Sequence, residues 1–311
     1  MVRGCAVNAA FYCVSSDVYF IGAVGLINSL RLAGHDDPVY VLDCGLAPGR
    51  RELIEREATV VDAPAGEQPF ALKTVAPLAA PAETMVLIDA DMIVTRPLGE
   101  LIERASSDGV VAFRNKADRH VREWGELLDL GDVRHQPYVS SGLVAMSRDP
   151  GEEVLRLMAD RQGRVDHERT YFEEHADDYA LLYSDQDVLN AILASRVERD
   201  RLVALDPRLC AETPFAGLRV SDVRRVRCAY DDGTEPYVVH HALSPKPWQE
   251  PAYDGVYSRL LRRLLTAPDV AIRVEQTDIP LWLRTGALAY AERQRIKARD
   301  QIRWRVGGVG R

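Results

Sequence analysis

Along the first hundred residues, short apolar runs alternate with longer segments whose apolar positions recur every three to four residues. The short runs have the length of buried strands and the longer segments have the period of helices, so the pattern predicts parallel strands joined by helices. Strands are expected at 5–14, 39–42, 59–61 and 85–89, and helices at 20–33, 48–56 and 70–80. Breakers fall between them: Gly34 after the first helix, Pro38 before the second strand, Ala63 and Pro64 after the third.

Past Asp91 the rhythm loosens. An apolar piece at 110–113, a polar stretch holding Trp124 and an apolar run at 138–146 precede helices at 152–161 and 186–195. A last strand at 237–240 enters a proline-rich loop, and two helical segments finish the chain. With no repeat or low-complexity tract, the expectation is an α/β protein with a single mixed, mainly parallel sheet and flanking helices. Its catalytic body is expected over 1–250, with a helical extension over 251–311.

Composition narrows the classes. Apolar residues at 47% and charged residues at 28% are a globular balance, not a disordered one. No apolar stretch reaches the roughly 18 residues a spanning helix needs. Residues 1–14 have the outline of a signal peptide, with Arg3 before an apolar run, but Asn8 interrupts the run and no small-residue cleavage pattern follows. They are read as the first strand, which predicts a cytoplasmic protein. The cysteines (Cys5, Cys13, Cys44, Cys210 and Cys228) are scattered without a CxxC pair, as structural thiols are. A net charge of −8 argues against nucleic acid as a partner. The segment from Arg284 to Arg311 is nonetheless basic and carries Leu288, Ile296, Ile302 and Trp304. It is read as a docked helix with a solvated face, with peripheral contact to an anionic membrane as the alternative.

Candidate chemistry begins at Met85–Val94, an apolar strand that ends in Asp89-Ala90-Asp91. In extended backbone two such carboxylates share a face about 6–7 Å apart. Their repulsion is relieved by a divalent cation, and the carboxyl edge of an open α/β sheet is where ligands bind. Solvated turn aspartates would look the same in isolation. A second strand end, Val239-His240-His241, leads into Ser244-Pro245-Lys246-Pro247-Trp248. A neutral imidazole beside two carboxylates suits manganese better than calcium, with magnesium possible. The lysine would then meet negative charge on a departing diphosphate. Histidines at strand ends are more often packed than metal-bound, so the pairing with the aspartates carries the argument.

Together with Ser184-Asp185-Gln186-Asp187-Val188-Leu189-Asn190, these stretches resemble glycosyltransferase family 8, the group that includes glycogenin and bacterial lipopolysaccharide galactosyltransferases. The resemblance runs from about Phe11 to Trp248 with the motifs in family order. It implies a GT-A fold, a nucleotide-sugar donor that is usually UDP-linked, manganese, retention of anomeric configuration and a small-molecule or glycan acceptor. By the same resemblance, Asp89, Asp91 and His240 are metal ligands and the backbone at Ala90 lies against the donor. Lys246 contacts the diphosphate, Ser15, Ser16 and Asp17 hold uracil and ribose, and Asp185 and Gln186 line the donor sugar. Lys73 matches the family's basic residue before the metal strand, although a lone lysine is more often at the surface. Ser141 and Gly142 match two residues of the family's Asn-Ser-Gly, with Ser140 in place of the asparagine, and Leu243 stands where a glycine is usual.

Retention requires either a carboxylate nucleophile, for which Asp185 or Asp187 is the candidate, or a front-face route with Gln186 beneath the sugar. Gly-rich phosphate loops are absent from the sequence, which disfavours dehydrogenases and P-loop enzymes. A nucleotidyltransferase, a nucleotide-sugar hydrolase or a non-catalytic nucleotide-sugar-binding protein are the alternatives. The polar stretch 114–136 is where acceptor contacts are expected.

Overall fold

The computed structural model describes residues 8–64, 72–171, 178–251 and 255–307. Its first strand, β1 (Ala9–Ser15), shows why the apolar runs are strands: Ala9, Phe11 and Cys13 enter one core and Ala10 and Tyr12 the opposite one. A strand alternates its side chains, so burial on both faces requires cover on both sides. The elements that follow are α1 (Phe20–Leu32), β2 (Val39–Asp43), α2 (Pro48–Ile54), β3 (Thr59–Asp62), α3 (Val75–Ala79), β4 (Thr84–Ile88), β5 (Met92–Val94) and α4 (Gly99–Asp108). Next come β6 (Val110–Arg114), α5 (Trp124–Leu127), β7 (Val139–Ser147), α6 (Arg148–Arg161) and α7 (Asp185–Arg196). The rest are β8 (Leu202–Leu205), β9 (Cys210–Glu212), β10 (Leu218–Asp222), β11 (Arg227–Tyr230), β12 (Val238–His240), α8 (Val256–Thr266) and α9 (Ala287–Gly307).

Seven strands form the main sheet in the order β3-β2-β1-β4-β7-β6-β8, parallel except that β7 runs antiparallel to β4 and β6. A feature the hydrophobic pattern does not reveal is a second sheet, β5-β12-β9, in which His240 pairs with Met92 on one side and Glu212 on the other. That small sheet brings the carboxyl end of β12 to the carboxyl end of β4. Of the helix expected at 70–80, only α3 forms among the described residues, and 65–71 lie outside them. Of the first expected strand, 5–7 likewise lie outside, and the observed strand runs on to Ser15.

Helix α1 is buried along nearly its whole length because α8 covers it with Leu260, Leu261, Leu264 and Leu265. Asn28 sits inside this apolar contact with its amide fully used, donating to the carbonyls of Leu264 and Ile272 and accepting from the Ile272 N–H. In α9, Ala289 and Ile296 are buried while Leu288 and Tyr290 are exposed. Among the described residues, Cys13, Cys44, Cys210 and Cys228 are free thiols, and no helix is long and apolar enough to cross a membrane.

His35, just past α1, accepts the Leu98 N–H on Nε2 at 2.8 Å. That bond needs a neutral ring with its proton on Nδ1, toward Asp37 at 3.3 Å. Burial lowers the ring's affinity for a second proton, and Asp37 only partly opposes this. A basic group depressed in the folded state contributes stability above its unfolded value near 6.5, which is lost as pH falls through the folded value. The urea midpoint is therefore expected to drop on acidification below about pH 6, and His35→Gln is expected to flatten that part of the profile.

Candidate active site

Strand β4 is fully buried, and the chain turns as it leaves it, the Met92 N–H donating to the Asp89 carbonyl. Asp89 and Asp91 thus converge through a turn and not through the extended backbone expected from the spacing. Opposite them, β12 delivers His240, whose Nε2 lies 3.2 Å from Asp91 Oδ1 and 3.9 Å from Asp89 Oδ2. Ligand atoms of Asp89, Asp91 and His240 all fall within 4.8 Å of one another, which is close enough for one ion. Asp91 Oδ1 is buried with no hydrogen bond aimed at it, although the imidazole edge is in reach. A lone-pair oxygen and a ring nitrogen facing each other without hydrogen-bond alignment is how two ligands of one cation stand, so the donor set fits a divalent ion with mixed oxygen and nitrogen preference.

The electrostatics agree with that fit. Burial pushes the Asp91 carboxyl up, but His240 and Lys246 outweigh it and hold it well below the usual carboxylate range. For Asp89, burial raises the value, Lys73 opposes and Asp91 adds to the rise. Burial disfavours the His240 imidazolium, yet Asp91 draws its value well above that of an ordinary histidine. Positive charge at this triad is therefore favoured, and a divalent ion held there would supply it in place of the ring proton.

Lys73 belongs to the site and not to the surface. Its Nζ lies 2.7 Å from Asp89 Oδ1 and 3.0 Å from Asp185 Oδ2, with 15% of the side chain exposed. Burial works against its charge, but Asp185 and Asp89 outweigh that and keep it protonated. The lysine thereby joins the Asp-x-Asp turn to the first residue of α7.

Helix α7 is pinned to β7 by its own motif. Asn190 exchanges hydrogen bonds with the Val139 backbone at 2.7 and 2.8 Å, while Gln186 accepts from the Ser141 N–H and donates to the Tyr138 hydroxyl. Asp187 is held by Arg119, Tyr138 and the Tyr183 N–H with its side chain wholly buried. Its carboxylate is thus fully engaged by these partners, whereas Asp185 is the helix residue that meets Lys73. Ser184, immediately before the helix, has φ 45° and ψ −117°, a conformation that L-residues rarely hold. Such strain concentrates beside functional groups.

Gly142 closes the site from below, its carbonyl accepting the Asp89 N–H. A Cβ there would stand 3.0 Å from His240 Cε1, 3.2 Å from Asp89 Oδ2 and 2.6 Å from Met92 Cε. Gly142→Ala is expected to weaken manganese binding about tenfold or more with little change in secondary structure, as calorimetric titration and circular dichroism would show. Ser140 turns its hydroxyl to the Gly142 N–H.

Lys246 is buried and uses its whole ammonium: Nζ donates to Asp91 Oδ2 at 2.6 Å and to the carbonyls of His241 and Ala242. Trp248 anchors the loop by donating to the Val18 carbonyl and seating its ring on Gly22, where any Cβ would clash at 2.6 Å. Leu243 is exposed. At the end of β1, Ser15 is buried, and Asp17 accepts the Ala47 N–H and Arg50 Nη1, which ties it to α2. A Cβ on Gly22 would also stand 2.6 Å from the Ala90 carbonyl oxygen.

Within the stretch 114–136, Trp124 is buried and donates to the Ala180 carbonyl, so its ring is core and offers nothing to a sugar. Asn115 and Arg119 reach Gln186 and Asp187 instead. Sequence reasoning does not find Cys210 and Glu212, whose side chains approach the other edge of His240. The only trace of them is the alternation Cys-Ala-Glu in an otherwise irregular stretch.

No family model matches the chain. General stress protein A of Bacillus subtilis (strain 168) is 26% identical over 166 residues, which are 53% of this chain and about half, 52%, of that protein's length. Among solved structures, the galactosyltransferase LgtC in complex with donor and acceptor sugar analogues aligns over 84% of this chain and 98% of its own at TM-score 0.54 and 15% identity. The bifunctional glycosyltransferase WbbM, in its apo form, aligns over 84% of this chain and 50% of its own at TM-score 0.50 and 15% identity. Identities this low speak for architecture, and on that ground the chain adopts the GT-A type glycosyltransferase fold.

Proposed function

We propose that this protein is a metal-dependent, retaining glycosyltransferase that moves a hexose from a nucleotide-sugar, of the UDP class, to a small-molecule or glycan acceptor. The observation that carries the reading is the meeting of Asp89, Asp91 and His240 within coordinating reach at the carboxyl edge of the sheet, with Lys73 and Asp185 alongside. Those three side chains would hold manganese, or magnesium, which when bound offsets the charge that develops on the departing diphosphate. Lys246, held beside Asp91, would add a second cation for that charge, and Ser15, Ser16 and Asp17 would border the space for the nucleoside.

Asp185 and Gln186 line the donor sugar in this reading. The Asp187 carboxylate is committed to Arg119 and Tyr138 and cannot act as nucleophile. Gln186, an amide, favours the front-face route: the bond from the anomeric carbon to phosphate breaks, the acceptor oxygen bonds on the same face, and its proton passes to a phosphate oxygen. Asp185, paired with Lys73, orients the sugar.

The test is a panel of nucleotide-sugars with manganese or magnesium, with and without EDTA, following release of nucleoside diphosphate and the anomeric configuration of the product by NMR. Turnover that survives EDTA, or transfer with inversion, would refute the mechanism. Water as the best acceptor in every case favours the hydrolase, and binding without turnover favours a non-catalytic sugar-nucleotide sensor.

A further inference from the structure

His240 has two ring nitrogens, and only Nε2 faces the aspartates. Nδ1 points the other way, is buried, and has no hydrogen-bond partner. Facing it are two side chains from β9, which pairs in parallel with β12 so that His240 stands beside Glu212 and Val238 beside Cys210. Residues 210 and 212 share one face of a strand, so the thiol and the carboxylate both lie on the side of His240. Glu212 Oε1 is 3.7 Å from Nδ1, beyond a hydrogen bond, and ligand atoms of Cys210, Glu212 and His240 all lie within 4.8 Å of one another.

We propose that the Nδ1 edge of His240, with Cys210 Sγ and a Glu212 carboxylate oxygen, is a second cation site, selective for a soft divalent ion such as zinc. Distances of about 2.0–2.3 Å from one ion to nitrogen, oxygen and sulfur require only a small closure of these side chains. Thiolate and imidazole favour zinc or cobalt over manganese and magnesium, the reverse of the oxygen-rich face at Asp89 and Asp91. Three protein ligands leave a fourth position open. Of the three, Glu212 also lines a cavity of about 450 Å³ together with Lys116, Pro214 and Tyr230. On binding, the Cys210 thiol releases its proton to solvent and its sulfur lone pair bonds the ion, with no change in oxidation state.

A neutral imidazole has a single lone pair in the ring plane. With zinc on Nδ1, the proton sits on Nε2 and faces Asp91. With an ion on Nε2, the proton sits on Nδ1 and faces Glu212. The two sites therefore exclude each other, and zinc antagonises manganese by taking its histidine. The exclusion, though not the second site itself, rests on the proposed role of His240 at the first.

The test uses the full chain titrated with Co2+, watching for the near-ultraviolet charge-transfer band of a thiolate bound to cobalt, with Zn2+ affinity measured by calorimetry. Wild type is expected to develop the band, Cys210→Ser and Cys210→Ala to lack it, and Asp91→Asn to keep it. Glu212→Gln is expected to bind zinc at least about tenfold more weakly. Circular dichroism on both cysteine variants separates a lost ligand from a lost fold. No band in wild type, or an undiminished band in both cysteine variants, overturns the site. Excess manganese is expected to dim the band. A band indifferent to saturating manganese overturns the exclusion and the reading of His240 as ligand to the first ion, while the second site stands.

Discussion

Asp91→Asn is expected to lower turnover by about 10²–10³-fold or more while leaving nucleoside recognition in place. The carboxylate meets His240 on one oxygen and Lys246 on the other, with only 8% of its side chain exposed. The amide keeps the shape but removes the charge that pairs with Lys246 and that the proposed ion would need. A structural cost comes with it, because the Lys246 ammonium is left buried without its counter-charge. Breaking such a pair costs about 3–5 kcal/mol, and the two carbonyls that still accept from Lys246 place this case at the low end. Pairing the change with Lys246→Met is expected to recover stability in urea titrations and none of the activity. Turnover of the single variant within tenfold of wild type would remove Asp91 from the proposed machinery.

The second large effect is expected at Lys73. Lys73→Met leaves Asp89 and Asp185 facing each other across an apolar side chain. In EDTA the variant is expected to lose about 3 kcal/mol of unfolding free energy. The sign of its pH dependence follows from the like charges. One carboxyl is raised above its unfolded value, so the loss is fullest above that folded value and shrinks as pH falls toward 4. Manganese restores only the share that belongs to Asp89, so stability with the ion remains below wild type and turnover falls about 10²-fold. Wild-type stability at pH 7 without metal would show that Lys73 does not bridge the two acids.

The architecture is legible where one face of a period meets one face of a core. The strand at β1 reads clearly because its alternate residues enter two different cores, and α1 because a thirteen-residue apolar helix can only be buried. The Asp-x-Asp, the His240–Trp248 stretch and the α7 motif are also legible, since each carries its chemistry in adjacent positions. Lys73 is harder. A lone lysine looks like surface until the folded chain sets two acids against it. Glu212 and Cys210 are harder still, because a three-residue strand has no period, and its face is decided by pairing with β12 and by nothing local. The role of Trp124 is likewise decided by tertiary contacts: it stands in a polar stretch of sequence, yet its ring is buried and its indole N–H donates to the Ala180 carbonyl.

An ammonium group has three protons, and those of Lys246 are all engaged, with Asp91, His241 and Ala242. A newly arriving anion can be met only if at least one of those contacts is first surrendered. A cation held by Asp91 would take over that carboxylate and so release one of the three protons. On the proposed reading this imposes a sequence on the partners: cation before nucleotide, with the tail of the loop around Trp248 holding its position as the lysine swings.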